Sequence, residues 1–225
     1  MRRFFVVCLI ALSASCAQKL TRLEVIDTAY RYTQVRWMPE ERNIRHGPDS
    51  QGIIVHTPDS SITAHGGTRG WWQPGQPAVS MPYQWGGFDT PESFVKKIAA
   101  GKKAGDVADA AKRKSGDAGV SQESCGIDCS GFVSRCWKLS RPYSTRELPT
   151  ICDPLSSYDE LLPGDILLND KHVVIFARWI TPGFEMGGYE AGPIPAWKVS
   201  SCGLPCEKMI REKYKPWRYR LIEKP

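Results

Sequence analysis

The sequence of 225 residues has only four histidines. Beyond Leu12 it has no apolar run long enough to cross a bilayer as a helix. It contains no internal repeat and no block of lysine and arginine interleaved with aromatics. Each absence narrows the reading. Without a second long apolar run, the mature chain is not a helical membrane protein. Without a basic block, and with a formal net charge of only +6, a nucleic-acid partner is not indicated. A weakly basic face would suit an anionic polymer such as cell wall, or it is simply a solvated surface. The lack of repeats leaves any targeting to the domain itself, and the scarcity of histidine leaves few residues that can serve as a base near neutral pH.

The first seventeen residues, MRRFFVVCLIALSASCA, read as an export signal. Arg2 and Arg3 form a positive start, Phe4 to Leu12 an apolar run, and small residues follow. Two processing sites compete. Ser15 and Ala17 occupy the positions a signal peptidase reads, which would free the chain at Gln18. Alternatively, the stretch ending at Cys16 resembles a lipoprotein box and makes Cys16 a lipid anchor, although Ser13 stands where Leu or Val is usual. The chain is therefore expected in the periplasm, the cell envelope or outside the cell, with membrane contact only if Cys16 is lipidated.

Residues 18–225 are long enough for a single domain with a real core, expected as a monomer. Six cysteines remain in it: Cys125, Cys129, Cys136, Cys152, Cys202 and Cys206. In an oxidising compartment they could form three disulfides, or two bridges and one orphan if Cys129 stays free. Cys202-Gly-Leu-Pro-Cys206 could close a small loop on itself.

Residues 20–37 carry apolar residues at helical spacing (Leu23, Ile26, Ala29 or Tyr30, Thr33), which predicts an amphipathic helix of about four turns. From Met38 to Val79 the chain is loop-like, with one strand-like run from Gly52 to His56. The lysine- and alanine-rich stretch after residue 92 predicts one or two surface helices broken by Gly101 and Gly105. In GFVSRCWKL, Phe132, Val133, Cys136 and Trp137 recur at helical spacing, so Cys129 lies just before a helix. LLPGDILLND and KHVVIFARWI are β-rich runs separated by the polar turn Asn169-Asp170-Lys171, with further strands around 188–191 and near the C-terminus. One helix-borne cysteine followed by several antiparallel strands is an α+β plan.

A helix start lowers a thiol's pKa through unsatisfied N–H groups and the helix dipole, and the same amides can hold a developing oxyanion. Gly131 removes a side chain where substrate backbone would have to approach. A cysteine nucleophile also needs a base. Of the histidines, His172 alone opens a strongly β-patterned run, whereas His46, His56 and His65 lie in loop-like sequence. The base in turn needs an orienting group, and the next strand supplies Glu190. The blander readings are that Cys129 is half of a disulfide and His172 a structural strand residue. Cys125, Cys129, Cys136 and His172 could also be imagined around zinc. Intervals of three and six residues do not make the two close pairs of a usual zinc site, and zinc would consume the candidate nucleophile, so no metal or cofactor is expected.

YQWGG (83–87), DCSGFV (128–133), STRELP (144–149), LPGDIL (162–167) and HVVIF (172–176) occur in an order that resembles the NlpC-type cysteine peptidases. These are papain-like enzymes that cut peptidoglycan stem peptides. The resemblance covers roughly residues 79–191, and the helix at 20–37 looks like the family's first helix. It implies a papain-like α+β fold with the nucleophile at a helix N-terminus, packed on an antiparallel sheet that carries the catalytic histidine. It further implies Cys129 as nucleophile, His172 as base, and a polar third residue whose matching position holds Glu190, where His, Asn or Gln is common. Tyr83, Asp128 and Ser130 match the positions that help hold the substrate's terminal amine. Two insertions depart from the family pattern, near 38–78 and at 88–127. The second, with Gly101 and Gly105 as hinges, is expected to form a lid or side wall that favours acidic stem peptides, or to be surface decoration.

The reading is thus an exported cysteine peptidase that cleaves an amide of a stem peptide or muropeptide, the γ-D-glutamyl–diamino-acid bond being the first choice. Its rivals are an amidase or acyltransferase using the same Cys–His pair, and a non-catalytic, disulfide-braced wall-binding module.

Overall fold

A computed structural model describes residues 19–62, 69–192 and 196–224. The export signal with Cys8 and Cys16, and His65, lie outside the described residues. Helix α1 (Arg22–Thr33) starts at a reciprocal cap, in which Thr21 accepts from the Glu24 N–H and Glu24 accepts from the Thr21 N–H at 2.8 Å. The helix is shorter than its apolar spacing predicts, and its buried stripe is Val25, Ala29 and Tyr32. Leu23 and Tyr30, assigned to that stripe from spacing, are 77% and 51% exposed. Long-range packing decides between the faces. Tyr32 meets Phe132 edge-on at 5.5 Å, and the chain leaves the helix in time for strand β1 (Arg36–Trp37).

The first insertion is more ordered than a loop. Strands β2 (His46–Pro48) and β3 (Ile54–His56) form an antiparallel hairpin, and β4 (Ala78–Val79) pairs with β1. Trp37 sits at the centre of an aromatic cluster with Trp71, Trp72 and Phe94, at centroid distances of 5.2 to 6.0 Å.

The second insertion contains α2 (Pro91–Ala99), β5 (Lys103–Ala104), α3 (Ala110–Ser115) and β6 (Ser124–Cys125), with β6 parallel to β5. Two helices separated by Gly101 and Gly105 match the sequence expectation. Their burial does not. Phe94 and Ile98, one turn apart on α2, enter the main core, and Asp106 and Lys112 form a buried ion pair at 2.7 Å. Gly105 (φ +88°) is a packed turn rather than a hinge, because a Cβ there would lie 2.7 Å from the Tyr83 carbonyl oxygen. The segment, expected as a lid or side wall or else as surface decoration, contributes Phe94 and Ile98 to the main core.

Helix α4 (Cys129–Cys136) follows, then β7 (Cys152–Pro154), β8 (Ile166–Leu168), β9 (Val173–Thr181), β10 (Glu185–Gly192), β11 (Lys198–Pro205), α5 (Cys206–Arg211) and β12 (Lys215–Tyr219). The main sheet has the order β11-β10-β9-β8-β12-β7, with every neighbouring pair antiparallel. Alternation along the strands fills both of its faces. Ile166, Leu168, Val173 and Ile175 join the cluster containing α1 and α4, while Leu167, Val174 and Phe176 join Met186, Leu204, Met209 and Tyr214. The architecture is α+β.

Sequence pattern missed β11 and α5, and the cysteines within them correct an expectation. A strand advances about 3.3 Å per residue, so Cys202 and the start of α5 stand roughly 10 Å or more apart, beyond disulfide reach. Cys202 and Cys206 do not close a loop. None of the six described cysteines is bridged.

Candidate active site

Cys129 is the first residue of α4, rather than lying just before it, and Asp128 is the N-cap. One Asp128 oxygen accepts from the Gly131 N–H at 2.6 Å and from the Ser130 hydroxyl at 3.1 Å, and the other accepts from the Gly86 N–H at 3.1 Å. Burial raises the Asp128 carboxyl, and these hydrogen bonds oppose that rise. The DCSG turn is thereby clamped to the YQWGG stretch. Gly131 serves that clamp, because a Cβ there would lie 2.3 Å from the Gly87 carbonyl oxygen. Protein backbone, not substrate, occupies the space its missing side chain leaves.

His172 stands immediately before β9. The Asn169 side-chain oxygen accepts from both the Lys171 and His172 N–H groups at 2.9 Å, and the Asn169 N–H donates to the His172 carbonyl at 3.0 Å. This Asx turn fixes the backbone that carries the imidazole. From sequence Asn169 reads only as the start of the polar turn before the histidine strand, with no role at the site, although an asparagine opening such a turn is a readable signal.

Glu190 lies on β10, the strand adjacent to β9. Its Oε2 is 2.6 Å from His172 Nε2. That contact leaves Nδ1 as the ring nitrogen available to a thiol. Nδ1 is buried and makes no well-aligned hydrogen bond, yet the Cys129 sulfur is close enough to favour the charged ring. A loose approach of this kind is usual before substrate binds. Burial opposes the charged imidazole, but the nearby Cys129 sulfur first, and the hydrogen bond and charge of Glu190 second, outweigh it and raise the imidazolium to about 10.

Tyr83 is buried beside this group. Its N–H donates to the Trp197 carbonyl at 2.9 Å, and its ring meets Trp197 edge-on at 6.1 Å. Burial pushes its phenol up, and nearby Cys129 and Asp128 push in the same direction. The fold thus gathers Cys129, His172 and Glu190 in one place, with Tyr83, Asp128 and Ser130 around the helix start. Burial likewise pushes the thiols of Cys125, Cys136, Cys152 and Cys202 up, which makes them poor nucleophiles.

A cavity of about 950 Å³ lies elsewhere, between α1, α2 and the far end of α4, lined by residues such as Tyr32, Val35, Val95 and Leu139. It touches none of these candidates. Side-chain chemistry, not cavity size, locates the site. No protein-family model matches the chain, and no curated protein matches it.

Proposed function

We propose that the protein is an exported cysteine peptidase of papain-like, NlpC type, hydrolysing an amide bond in peptidoglycan stem peptides. One observation carries the catalytic part of this reading: a cysteine at the first position of a helix stands beside a histidine whose other nitrogen is held 2.6 Å from a carboxylate. His172 takes the Cys129 proton on Nδ1, and the thiolate attacks the amide carbonyl. The first N–H groups of α4 have no intrahelical acceptor, so those not used by the cap can donate to the oxyanion. The imidazolium then protonates the departing amine, and water hydrolyses the thioester. Glu190 holds the ring's orientation and favours its charged form. The family and substrate rest on the ordered segments from YQWGG to HVVIF and on export. A nucleophile helix packed on an antiparallel sheet is in keeping with the family's plan. The unbridged Cys129 weighs against the disulfide-braced binding module.

The test is digestion of purified muropeptides with products identified by mass spectrometry. Wild-type protein should cleave the γ-D-glutamyl–diamino-acid bond, and Cys129→Ala and His172→Ala should each lower the rate by about a thousandfold or more while staying folded. Near-wild-type hydrolysis by either variant would sink the dyad. Cleavage of another amide would retain the dyad and move the substrate.

A further inference from the structure

The hairpin of the first insertion holds a second histidine constellation, unconnected with the peptidase chemistry. His46 on β2 and His56 on β3 are directly opposite partners, their ring centroids are 5.7 Å apart with the planes inclined at 27°, and their Nδ1 atoms face each other at 3.4 Å. On the other side of the His46 ring, Nε2 lies 2.8 Å from Asp59 Oδ2 and 3.0 Å from the Ser61 hydroxyl. Asp59 is 1% exposed and also accepts from the Thr57 hydroxyl at 2.7 Å, the Ser61 N–H at 2.9 Å and the Ser61 hydroxyl.

This arrangement is not a serine-protease triad. Ser61 and Asp59 meet the same ring nitrogen, so the imidazole cannot take the hydroxyl proton on one nitrogen while the carboxylate holds the other. What it does is fix a tautomer. An ionised Asp59 beside Nε2 keeps the proton there and leaves the His46 Nδ1 lone pair facing His56 Nδ1. A carboxylate on the outer nitrogen of an imidazole, with the inner nitrogen left bare, is the outer-shell arrangement of metal-binding histidines.

We infer that His46 Nδ1 and His56 Nδ1 form a two-imidazole clamp for a divalent cation of tetrahedral preference, zinc above all, with water completing the shell. Two nitrogens each about 2.0–2.1 Å from a tetrahedral zinc lie about 3.4 Å apart, the separation already present. Among the described residues no group of three or more His, Cys, Asp or Glu side chains is placed around a metal, so the described residues supply two ligands here. In the metal-free hairpin the His56 Nδ1–H donates to His46 Nδ1. Zinc takes both lone pairs, and the His56 proton moves through solvent to its Nε2, so both rings stay neutral. Of the charged groups near His56, the Lys112 ammonium is paired with Asp106 at 2.7 Å, and Asp109 contributes a carboxylate.

The clamp would do structural work. The His56 N–H donates to Asp106 Oδ1 at 3.0 Å, the Val107 N–H donates to the His56 carbonyl at 2.8 Å, and the Asp106 N–H donates to the Tyr83 carbonyl at 2.9 Å. A metal on His56 therefore staples the first insertion to the second beside the YQWGG stretch.

The experiment is a ZnCl2 titration of the metal-free full chain, followed by long-range proton–nitrogen NMR of the imidazoles. One equivalent should shift the Nδ1 resonances of His46 and His56 together, while Nε2 of both carries the proton. Zinc should raise the Tm of wild type but not of His56→Ala or His46→Ala. Asp59→Asn should weaken zinc binding roughly tenfold to a hundredfold. Metal-free Tm values of the variants report whether each still folds. If a variant does not fold, the wild-type nitrogen shifts alone decide. Zinc that moves only His172 or cysteine resonances, or a His46 that keeps its proton on Nδ1 at saturating zinc, would overturn the site.

Discussion

Glu190 Oε2 lies 2.6 Å from His172 Nε2 across two adjacent antiparallel strands, so the imidazole turns its other nitrogen toward Cys129. The carboxylate is one of two groups that lift the imidazolium to about 10, the other being Cys129 itself. In the proposed mechanism the charged ring protonates the leaving amine, so the alkaline limb of activity tracks this group.

Glu190→Gln keeps a hydrogen-bonding partner and removes the negative charge. The charged ring then loses support and gives up its proton at lower pH. The alkaline limb of kcat/KM should move to lower pH, with kcat/KM at neutral pH down roughly tenfold to a hundredfold. Glu190→Ala should lose more, because the ring's orientation is released as well. Superimposable pH–rate profiles for wild type and Glu190→Ala would show that another group holds the ring.

Asn169 is a positioning residue, acting through the His172 backbone. Asn169→Ala removes the acceptor for two N–H groups at 2.9 Å, and loss of such bonds costs on the order of 1 kcal/mol each. The expected result is a fall in kcat of about tenfold or more with little change in KM, since the imidazole is displaced and the binding residues are not. Asn169→Asp retains the acceptor oxygen and should recover most of the loss. A merely structural role would lower stability in Asn169→Ala with kcat unmoved.

Much of this arrangement is readable in the chain because its parts are local. The polar turn before HVVIF and the helical spacing after DCSG need only a few residues to be recognised. Alternation along the strand then places Glu190 within reach of a neighbouring histidine. What escaped depends on distant partners. The buried face of α1 is chosen by Phe132 rather than by its own apolar count, since Leu23 is apolar and exposed. Strand β11 has serine, glycine and cysteine where a strand pattern wants β-branched residues, and it exists through eight register pairs with β10. The core role of α2 was hidden by lysines, yet Phe94 and Ile98 at i and i+4 were the visible clue. The facing histidines of the first hairpin were split between a strand-like run and a loop, and only cross-strand register joins them.

Gly131→Ala probes the clamp between the nucleophile helix and YQWGG. The new Cβ would lie 2.3 Å from the Gly87 carbonyl oxygen and 3.0 Å from Asp128 Oδ1. Backbone has to move, at a cost of about 1–3 kcal/mol in unfolding free energy. The movement falls two residues from Cys129, so thiol alkylation rate and kcat should both drop in the folded fraction. A variant with wild-type alkylation and turnover would show that the helix start tolerates displacement.

Lys112 and Asp106 test whether the second insertion is integral, through a pH signature that decoration would not give. The Asp106 side chain is fully buried and that of Lys112 is 4% exposed. Burial raises the Asp106 carboxyl to about 6, against the pull of the Lys112 hydrogen bond and charge and the His56 N–H. A folded-state value above the ordinary 3.8 means that the fold binds this proton more tightly than the unfolded chain does. Its contribution to stability is therefore greatest below about pH 4, falls as pH rises toward about 6, and is constant above. Lys112→Met removes the compensating cation, so the carboxyl rises further and the fall continues to higher pH. Measured by urea unfolding, Lys112→Met should be close to wild type near pH 4.5, where Asp106 is largely protonated, and less stable by about 3–5 kcal/mol near pH 8. Adding Asp106→Asn removes the buried charge and should abolish the pH dependence of the difference. A deficit of equal size at both pH values would mean that Lys112 contributes packing alone and that the pair is not the electrostatic lock of the insertion.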